Sequence, residues 1–334
     1  MNSSIRKPCL HTRPFDAMTP GSYHSIGDFY KKNFGTKPKK IPVSIADDCP
    51  NRRGLKNMET CIFCDVWGSA AFPEQRNLDL KNQIQEKIEY FNKKYKSSTF
   101  LIYFQAYTST FLGVKGLRQS FEIALGFPQV KGIVIGTRPD CVSAAVLDLW
   151  REYSRKCFFS VELGVQSFFD SKLEFLRRGH SAETSIAIIK KIKQETDVDL
   201  GIHLIFGLPE ETDQEIIETA KMISKLDLDN VKLHNLHVLK NTPLQKLYEA
   251  GQFTPMSLEE YAPKVGLFLQ YLSPKISVHR LAALSSRWDE LVAPSWTRHK
   301  METYQFIINH MKAKGIYQGQ LYGLQERVPS MHSL

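Results

Sequence analysis

The chain has few cysteines and no long apolar run, and these two absences exclude several classes of protein. Six cysteines in 334 residues are far fewer than a disulfide-stapled secreted scaffold carries. No stretch approaches the ~18 uninterrupted apolar residues of a membrane-spanning helix. The first 16 residues are polar and lack the apolar segment of a signal peptide. The sequence therefore predicts a cytoplasmic protein without a membrane span.

Internal repeats and low-complexity tracts are also absent, and the composition is that of an ordinary folded protein. Apolar residues make up 42% of the chain and charged residues 24%, which excludes a mainly disordered or collagen-like chain. Lysine and arginine exceed aspartate and glutamate by 44 − 35 = 9 residues. This is a moderate bias toward anionic partners such as nucleic acid.

Short apolar runs alternate along the chain with longer segments of helical periodicity. The predicted strands are 41–46, 99–105, 132–136, 157–163, 200–206 and 231–238. The predicted helices between them are 78–94, 116–125, 142–153, 182–195 and 213–226. Alternation at this pitch predicts an α/β fold of βα units: a partial or full (β/α)6 barrel, or an open doubly wound sheet. In both architectures ligands lie at the carboxyl ends of the strands.

The alternation of predicted strands and helices ends near residue 241, and the sequence therefore predicts a chain of three parts. Residues 1–35 form an N-terminal extension, 36–240 the core, and 241–334 a mainly helical cap packed on the barrel. The predicted cap helices are 257–272 and 299–314, with a short run at 275–279 between them. Capping-box spacings predict helix starts after Thr212 and after Ser257.

Three of the six cysteines, Cys49, Cys61 and Cys64, cluster in a polar loop directly after the first predicted strand. A zinc site would need a fourth ligand, and no further cysteine or histidine is local in sequence. A [4Fe–4S] cluster on three cysteines keeps one iron open for an exogenous ligand. Three unrelated thiols are the plain alternative. Phe63 either packs in the core or offers a flat apolar face to a bound ring.

Six further segments accompany this loop. They are YFQAYTSTF (103–111), GTRPDC (136–141), ELGVQS (162–167), RGH (178–180), HLIFGLP (203–209) and KLHNLH (232–237). Together with the cysteine loop they resemble radical S-adenosylmethionine (SAM) enzymes, specifically the YhcC-like branch. That branch is related to the radical SAM domain of the Elongator catalytic subunit. The resemblance covers about residues 30 to 300.

The resemblance implies a partial (β/α)6 TIM-type barrel with a C-terminal, mainly helical cap. It also implies a [4Fe–4S] cluster on Cys49, Cys61 and Cys64, with SAM chelating the open iron. Reductive cleavage of SAM would yield a 5′-deoxyadenosyl radical that abstracts hydrogen from a substrate. A tRNA nucleoside is the favoured substrate, and a small molecule or a peptide is the alternative. A flavodoxin- or ferredoxin-type protein would supply the electron. The alternative function is a non-catalytic zinc or iron–sulfur protein that binds RNA.

The resemblance further implies a set of residues that contact SAM at strand ends. They are Phe63, Gln105, Tyr107, Thr108, Ser109, Arg138, Glu162, Gln166, Arg178, His203, Gly207 and His237. Donors in 105–110 would meet the methionine moiety, and Glu162 and Gln166 would hold ribose hydroxyls. Arg178 would pair with the SAM carboxylate. The resemblance also marks His279, Arg280 and Trp296 as part of the active-site cover.

Several of these residues have structural alternatives. Glu162 could form a salt bridge with an arginine, and Arg178 could be an exposed arginine at a helix end. Gly207 could serve a tight turn without any ligand. A histidine in a strand, such as His203 or His237, is often a wall or core residue.

Overall fold

A computed structural model describes residues 18–68, 74, 77–285 and 287–324 of the chain. A seven-stranded parallel sheet forms its centre. The strands are β1 Lys39–Val43, β2 Phe100–Phe104, β3 Val130–Thr137, β4 Phe158–Gln166, β5 Asp199–Phe206, β6 Asn230–Asn235 and, numbered in chain order, β8 Ser277–Val278. They follow one another in the sheet in the order β1-β2-β3-β4-β5-β6-β8. This is a partial barrel, so the predicted α/β fold is confirmed.

The seventh strand comes from the run at 275–279 that was predicted to lie in the cap. β8 pairs with the start of β6, where Asn230 lies opposite Ser277. Two further short strands, β7 Val238–Leu239 and β9 Leu291–Ala293, pair antiparallel outside this sheet.

Helices connect the strands and cover the outside of the sheet. They are α1 Ile26–Phe34, α2 Leu80–Tyr95, α3 Gly113–Leu125, α4 Ala144–Ser154, α5 Asp170–Phe175, α6 Ala182–Glu195, α7 Asp213–Lys225, α8 Pro243–Glu249, α9 Leu258–Tyr271 and α10 Lys300–Ala313. Both predicted capping boxes form, at Thr212 and at Ser257. No helix among the described residues is long and apolar enough to cross a membrane.

The two faces of the strands differ in chemistry. In β4, Phe159, Val161 and Leu163 belong to the apolar core that the surrounding helices cover. The alternating residues Ser160 and Glu162 are buried polar side chains that face the other side of the strand. The interior of this partial barrel is therefore polar, and the apolar core lies between sheet and helices.

Helix α1 covers the amino-terminal end of the barrel. Its Tyr30 is buried in a small cluster with Leu101, Tyr103 and Val134. The rings of Tyr30 and Phe158 lie edge to face with centroids 6.2 Å apart. Just before α1, Ser25 forms a parallel bridge to Val278 of β8, so this segment also extends the edge of the sheet.

A partly buried carboxyl, Asp199, lies at the start of β5. Its Oδ2 accepts hydrogen bonds from Ser160 Oγ at 2.7 Å and from Asn230 Nδ2 at 2.9 Å. Burial, with a smaller contribution from Asp229, raises the pKa of Asp199 to about 7. Between the pKa of the unfolded chain and pH 7 the native state keeps a proton that the unfolded state has lost, so stability falls as pH rises.

Replacing Asp199 with asparagine is expected to reduce this fall by about 1.4 kcal/mol per pH unit, the contribution of one proton. Urea unfolding between pH 4.5 and 7 measures it. Asp148→Asn, at a side chain 69% exposed, is the control and should leave the slope unchanged. An Asp199→Asn protein with the wild-type slope would contradict the assignment.

Candidate active site

The three clustered cysteines line one cavity at the carboxyl ends of the strands. The cavity has a volume of about 440 Å³. Cys49 and Cys61 are buried, and Cys64 is partly buried. Backbone hydrogen bonds attach their loop to the rest of the fold, because Ile62 N donates to Leu176 O at 3.3 Å and Leu244 N donates to Ile62 O at 2.9 Å. The thiols are therefore held by the scaffold.

Two arginines lie beside the sulfur atoms. Arg178 Nη1 is 3.4 Å from Cys61 Sγ, and Arg52 Nη1 is 3.7 Å from Cys64 Sγ. Burial raises the pKa of the Cys64 thiol to about 12. A bound metal deprotonates a coordinating thiol, and nearby guanidinium groups stabilise the thiolate. The donor set therefore suits a metal cluster.

Among the described residues, no group of three or more His, Cys, Asp and Glu side chains is arranged to hold a single metal ion. Zinc takes four ligands around one ion, whereas in a cluster each cysteine binds a separate iron. The residues present fit a [4Fe–4S] cluster with three protein ligands.

The segment after β2 forms one wall of the cavity. Gln105, Tyr107 and Thr108 line it. The Tyr107 ring packs on Gly68, where an added Cβ would come within 2.3 Å of the ring, so only glycine fits there. Ser109 does not line the cavity, because it is fully buried below this wall and its Oγ donates to Phe104 O at 3.2 Å.

Arg138 and Arg178 connect the cysteine loop to the ends of β3 and β4. Arg138 is buried, pairs with Asp140 at 2.8 Å, contacts Asn51 and donates to Arg178 O at 2.6 Å. Arg178 Nη2 donates to Gly164 O at 2.8 Å, while its buried Nε has no hydrogen-bond partner among the described residues. Arg178 is 6% exposed, so it is not a solvated helix-end arginine. Both line the cavity.

Glu162 is the centre of a buried polar network on the cavity floor. Its Oε1 accepts from Lys40 Nζ at 2.7 Å. Its Oε2 accepts from Tyr103 Oη and from His203 Nε2, both at 2.7 Å, and contacts Lys232 Nζ. The predicted alternative was an ion pair with arginine, and the observed partners are two lysines.

The charges of this network follow from its geometry. Burial acts to raise the pKa of Glu162, but Lys232 and Lys40 outweigh it and hold that pKa well below its usual range. Burial and the charge of Lys232 lower the pKa of His203 to about 4, so this ring is neutral. Protein donors already occupy both carboxylate oxygens of Glu162, so a ribose hydroxyl would have to share these oxygens with them. The contact between Glu162 and the ribose of SAM stays a prediction.

The other predicted contacts divide into two groups. Phe63, Gln166, His203 and His237 line the cavity. Gly207 does not, and it has φ +83° in the turn after β5, where its N–H donates to Glu211 Oε2 at 2.9 Å. The structure thus accounts for Gly207 by its turn, and all SAM contacts remain predictions.

Several lining residues were not predicted as site residues. Tyr103, Lys232, His234 and Arg287 line the cavity, and Arg280 was predicted only as part of its cover. The signal in the sequence was the alternation of β6, where Lys232 and His234 interrupt an apolar strand. Trp296 lies elsewhere: its Nε1 donates to Met256 O at 3.1 Å and its ring packs on Tyr261.

Comparisons with known proteins identify the family of the chain. Residues 43–223 match the Radical SAM superfamily and residues 228–313 match the Radical_SAM C-terminal domain. The chain is 32% identical to the protein YhcC of Escherichia coli over 89% of this chain and 94% of that protein. A shorter stretch, 43% of this chain and 26% of the relative, is 29% identical to the tRNA uridine(34) acetyltransferase of Methanocaldococcus infernus.

The fold also resembles a solved structure. The archaeal Elp3 of Methanocaldococcus infernus, with an N-terminal deletion, superposes with a TM-score of 0.63 at 18% identity, covering 84% of this chain and 64% of that one. With the two family matches and the YhcC relationship, this places the fold in the YhcC-like group related to Elp3. The chain belongs to the radical SAM superfamily, whose enzymes use a [4Fe–4S] cluster and SAM.

Proposed function

We propose that this chain cleaves SAM reductively at a [4Fe–4S] cluster bound by Cys49, Cys61 and Cys64, and abstracts hydrogen from a tRNA nucleoside. The observation that carries the proposal is the shared cavity. It is lined by all three cysteines and by ten of the twelve residues predicted to contact SAM. When bound, the cluster supplies the electron that cleaves SAM to methionine and a 5′-deoxyadenosyl radical.

The residues of the cavity have separate tasks in this proposal. The three thiolates bind the cluster, and Arg178 and Arg52 stabilise charge on two of the sulfur atoms. Polar groups of Gln105 and Thr108 bind the methionine moiety, and Phe63 offers an apolar face to a ring. The folded barrel excludes bulk water, which protects a reactive intermediate from side reactions.

A tRNA substrate is supported by two observations. The net charge of +9 favours a polyanionic partner. A relative that aligns with 43% of this chain is a tRNA uridine(34) acetyltransferase. We further infer a cytoplasmic location, where tRNA and a flavodoxin- or ferredoxin-type electron donor are present.

The test is anaerobic reconstitution of the full chain with iron and sulfide, followed by dithionite and SAM. The expected result is a brown protein that forms 5′-deoxyadenosine and methionine in equal amounts. Reactions without dithionite are the control and should form neither. A colourless protein that binds stoichiometric zinc and forms no 5′-deoxyadenosine would overturn the enzyme and favour the RNA-binding alternative.

The substrate is tested separately in the same preparation. Unmodified tRNA prepared by transcription should increase the rate of 5′-deoxyadenosine formation, whereas an equal mass of duplex DNA should not. SAM cleavage that no tRNA preparation stimulates would retain the radical chemistry and refute the nucleoside substrate.

A further inference from the structure

A group of cations in the cavity has no task in the chemistry proposed above. Lys232 lies in β6, and Arg280 follows β8 by two residues. Both line the cavity together with His234. Arg280 Nε donates to Leu233 O at 3.3 Å, and its Nη2 lies 2.7 Å from Nδ1 of the His234 ring. Burial and the charge of Arg280 hold the pKa of His234 well below its usual range, so this histidine supplies no charge.

Positive charge exceeds negative charge around this floor. Three basic side chains, Lys40, Lys232 and Arg280, face one carboxylate, Glu162, and burial lowers the pKa of Lys232 to about 7, so that a bound anion would stabilise its charged form. Lys40 and Lys232 both contact it, whereas Arg280 has no carboxylate within ion-pair distance among the described residues. Burying a charge without a counter-ion is costly. Arg280 on the cavity floor, without a carboxylate partner among the described residues, indicates that a bound anion completes the site.

Hydrogen-bond donors also remain available. An ammonium group has three N–H donors, and within the ranges that the structure describes Lys232 uses two of them, on Glu162 and, at 3.2 Å, on Tyr103 Oη, so that one remains. In the part of the chain that the structure describes, Arg280 Nη1 has no hydrogen-bond partner. A guanidinium edge next to an ammonium group is the arrangement that recognises carboxylate and phosphate oxygens.

We propose that Lys232 and Arg280 bind an anionic group of the substrate, a carboxylate or a phosphate, on the floor of the cavity. This inference rests on the proposed function, because it assigns these residues to the molecule that reacts beside SAM. Glu162 holds Lys232 in place, and Arg280 determines that a charged substituent is preferred to a neutral one.

The test measures binding of small anions to the reconstituted, SAM-loaded protein by isothermal titration calorimetry. Propionate and inorganic phosphate are the two anionic probes, and propionamide is the neutral match of propionate. We expect at least one anion to bind and propionamide not to. Binding of propionate alone identifies a carboxylate as the natural group, and binding of phosphate alone identifies a phosphoryl group.

Variants connect that binding to the two residues. Arg280→Gln and Lys232→Met should each weaken it about tenfold or more, the usual effect of losing a charged hydrogen bond. Arg280→Lys keeps the charge and should retain most of the binding, which also guards against a merely misfolded Arg280→Gln protein. Arg155→Gln and Lys190→Met remove exposed cations outside the cavity and should change nothing.

Three results would overturn the inference: equal binding in the Arg280→Gln, Lys232→Met and wild-type proteins, equal binding of propionamide, or anion binding that a SAM-free preparation shows and the SAM-loaded protein does not. The last would assign the cations to the SAM carboxylate. Failure of the proposed function is recognised independently, because the same wild-type preparation would then form no 5′-deoxyadenosine whatever its anion binding.

Discussion

Alanine at Cys49, Cys61 or Cys64 is expected to abolish 5′-deoxyadenosine formation to below detection. Each thiolate is a ligand of the proposed cluster, and a cluster with only two protein ligands would be lost or misplaced in the cavity. Iron and sulfide content should fall with the activity. The measurement is product formation per protein chain after anaerobic reconstitution, together with the absorbance of the cluster.

Cys157→Ala is the matched control for these three variants. Cys157 is also a partly buried free thiol, but it lies outside the cavity, with its Sγ 3.7 Å from Tyr153 O. The Cys157→Ala protein should keep its iron and its activity. Full SAM cleavage in any one of the three loop variants would remove that cysteine from the ligand set.

Glu162→Ala is expected to lower the free energy of unfolding by about 3–5 kcal/mol near pH 7. The change leaves two partly buried lysines, Lys40 and Lys232, without their shared counter-ion. It also removes the acceptor for the hydroxyl of Tyr103 and the ring of His203. Because the pKa of Glu162 is depressed in the native state, its stabilisation is present above the unfolded pKa and is lost at lower pH.

Glu152→Ala is the matched control, because this carboxylate also pairs with two cations but at the surface. It accepts from Arg118 at 2.6 Å and from Lys156 at 2.6 Å. Surface pairs contribute little to stability, because water and salt screen them. Urea unfolding of both variants measures the difference. Similar losses for Glu152→Ala and Glu162→Ala would mean that the barrel network has no special energetic role.

Much of the fold could be predicted because strand and helix periods are local properties. The predicted helix 182–195 has the bounds of α6, and β2, β3 and β5 differ from prediction by only one or two residues at their ends. The seventh strand could not be assigned to the sheet, because β8 has two residues and is defined by its pairing with β6. Helix α1 was not predicted, and its place at the barrel base depends on aromatic contacts between distant segments.

The candidate site was predictable where residue type alone carries the chemistry. Three cysteines after a strand indicate a metal centre in any fold. The polar network was missed because it exists only where side chains from separate strands meet in the folded protein. Lys40, Glu162 and Lys232 come from three strands, and none of them forms a motif by itself. Likewise, Lys40 of β1 and His279, the residue after β8, come within 3.3 Å of each other because the sheet curves into a partial barrel.

The aromatic packing of α1 against the amino-terminal end of the barrel has a consequence for the order in which two ligands would bind. Tyr30 and Phe158 fill that end, so ligands in the cavity exchange at the carboxyl ends of the strands. When two ligands share such a space and one covers the other, the inner ligand must arrive first and leave last. Steady-state kinetics with SAM and substrate should therefore follow an ordered sequential mechanism, with the outer product released before the inner one.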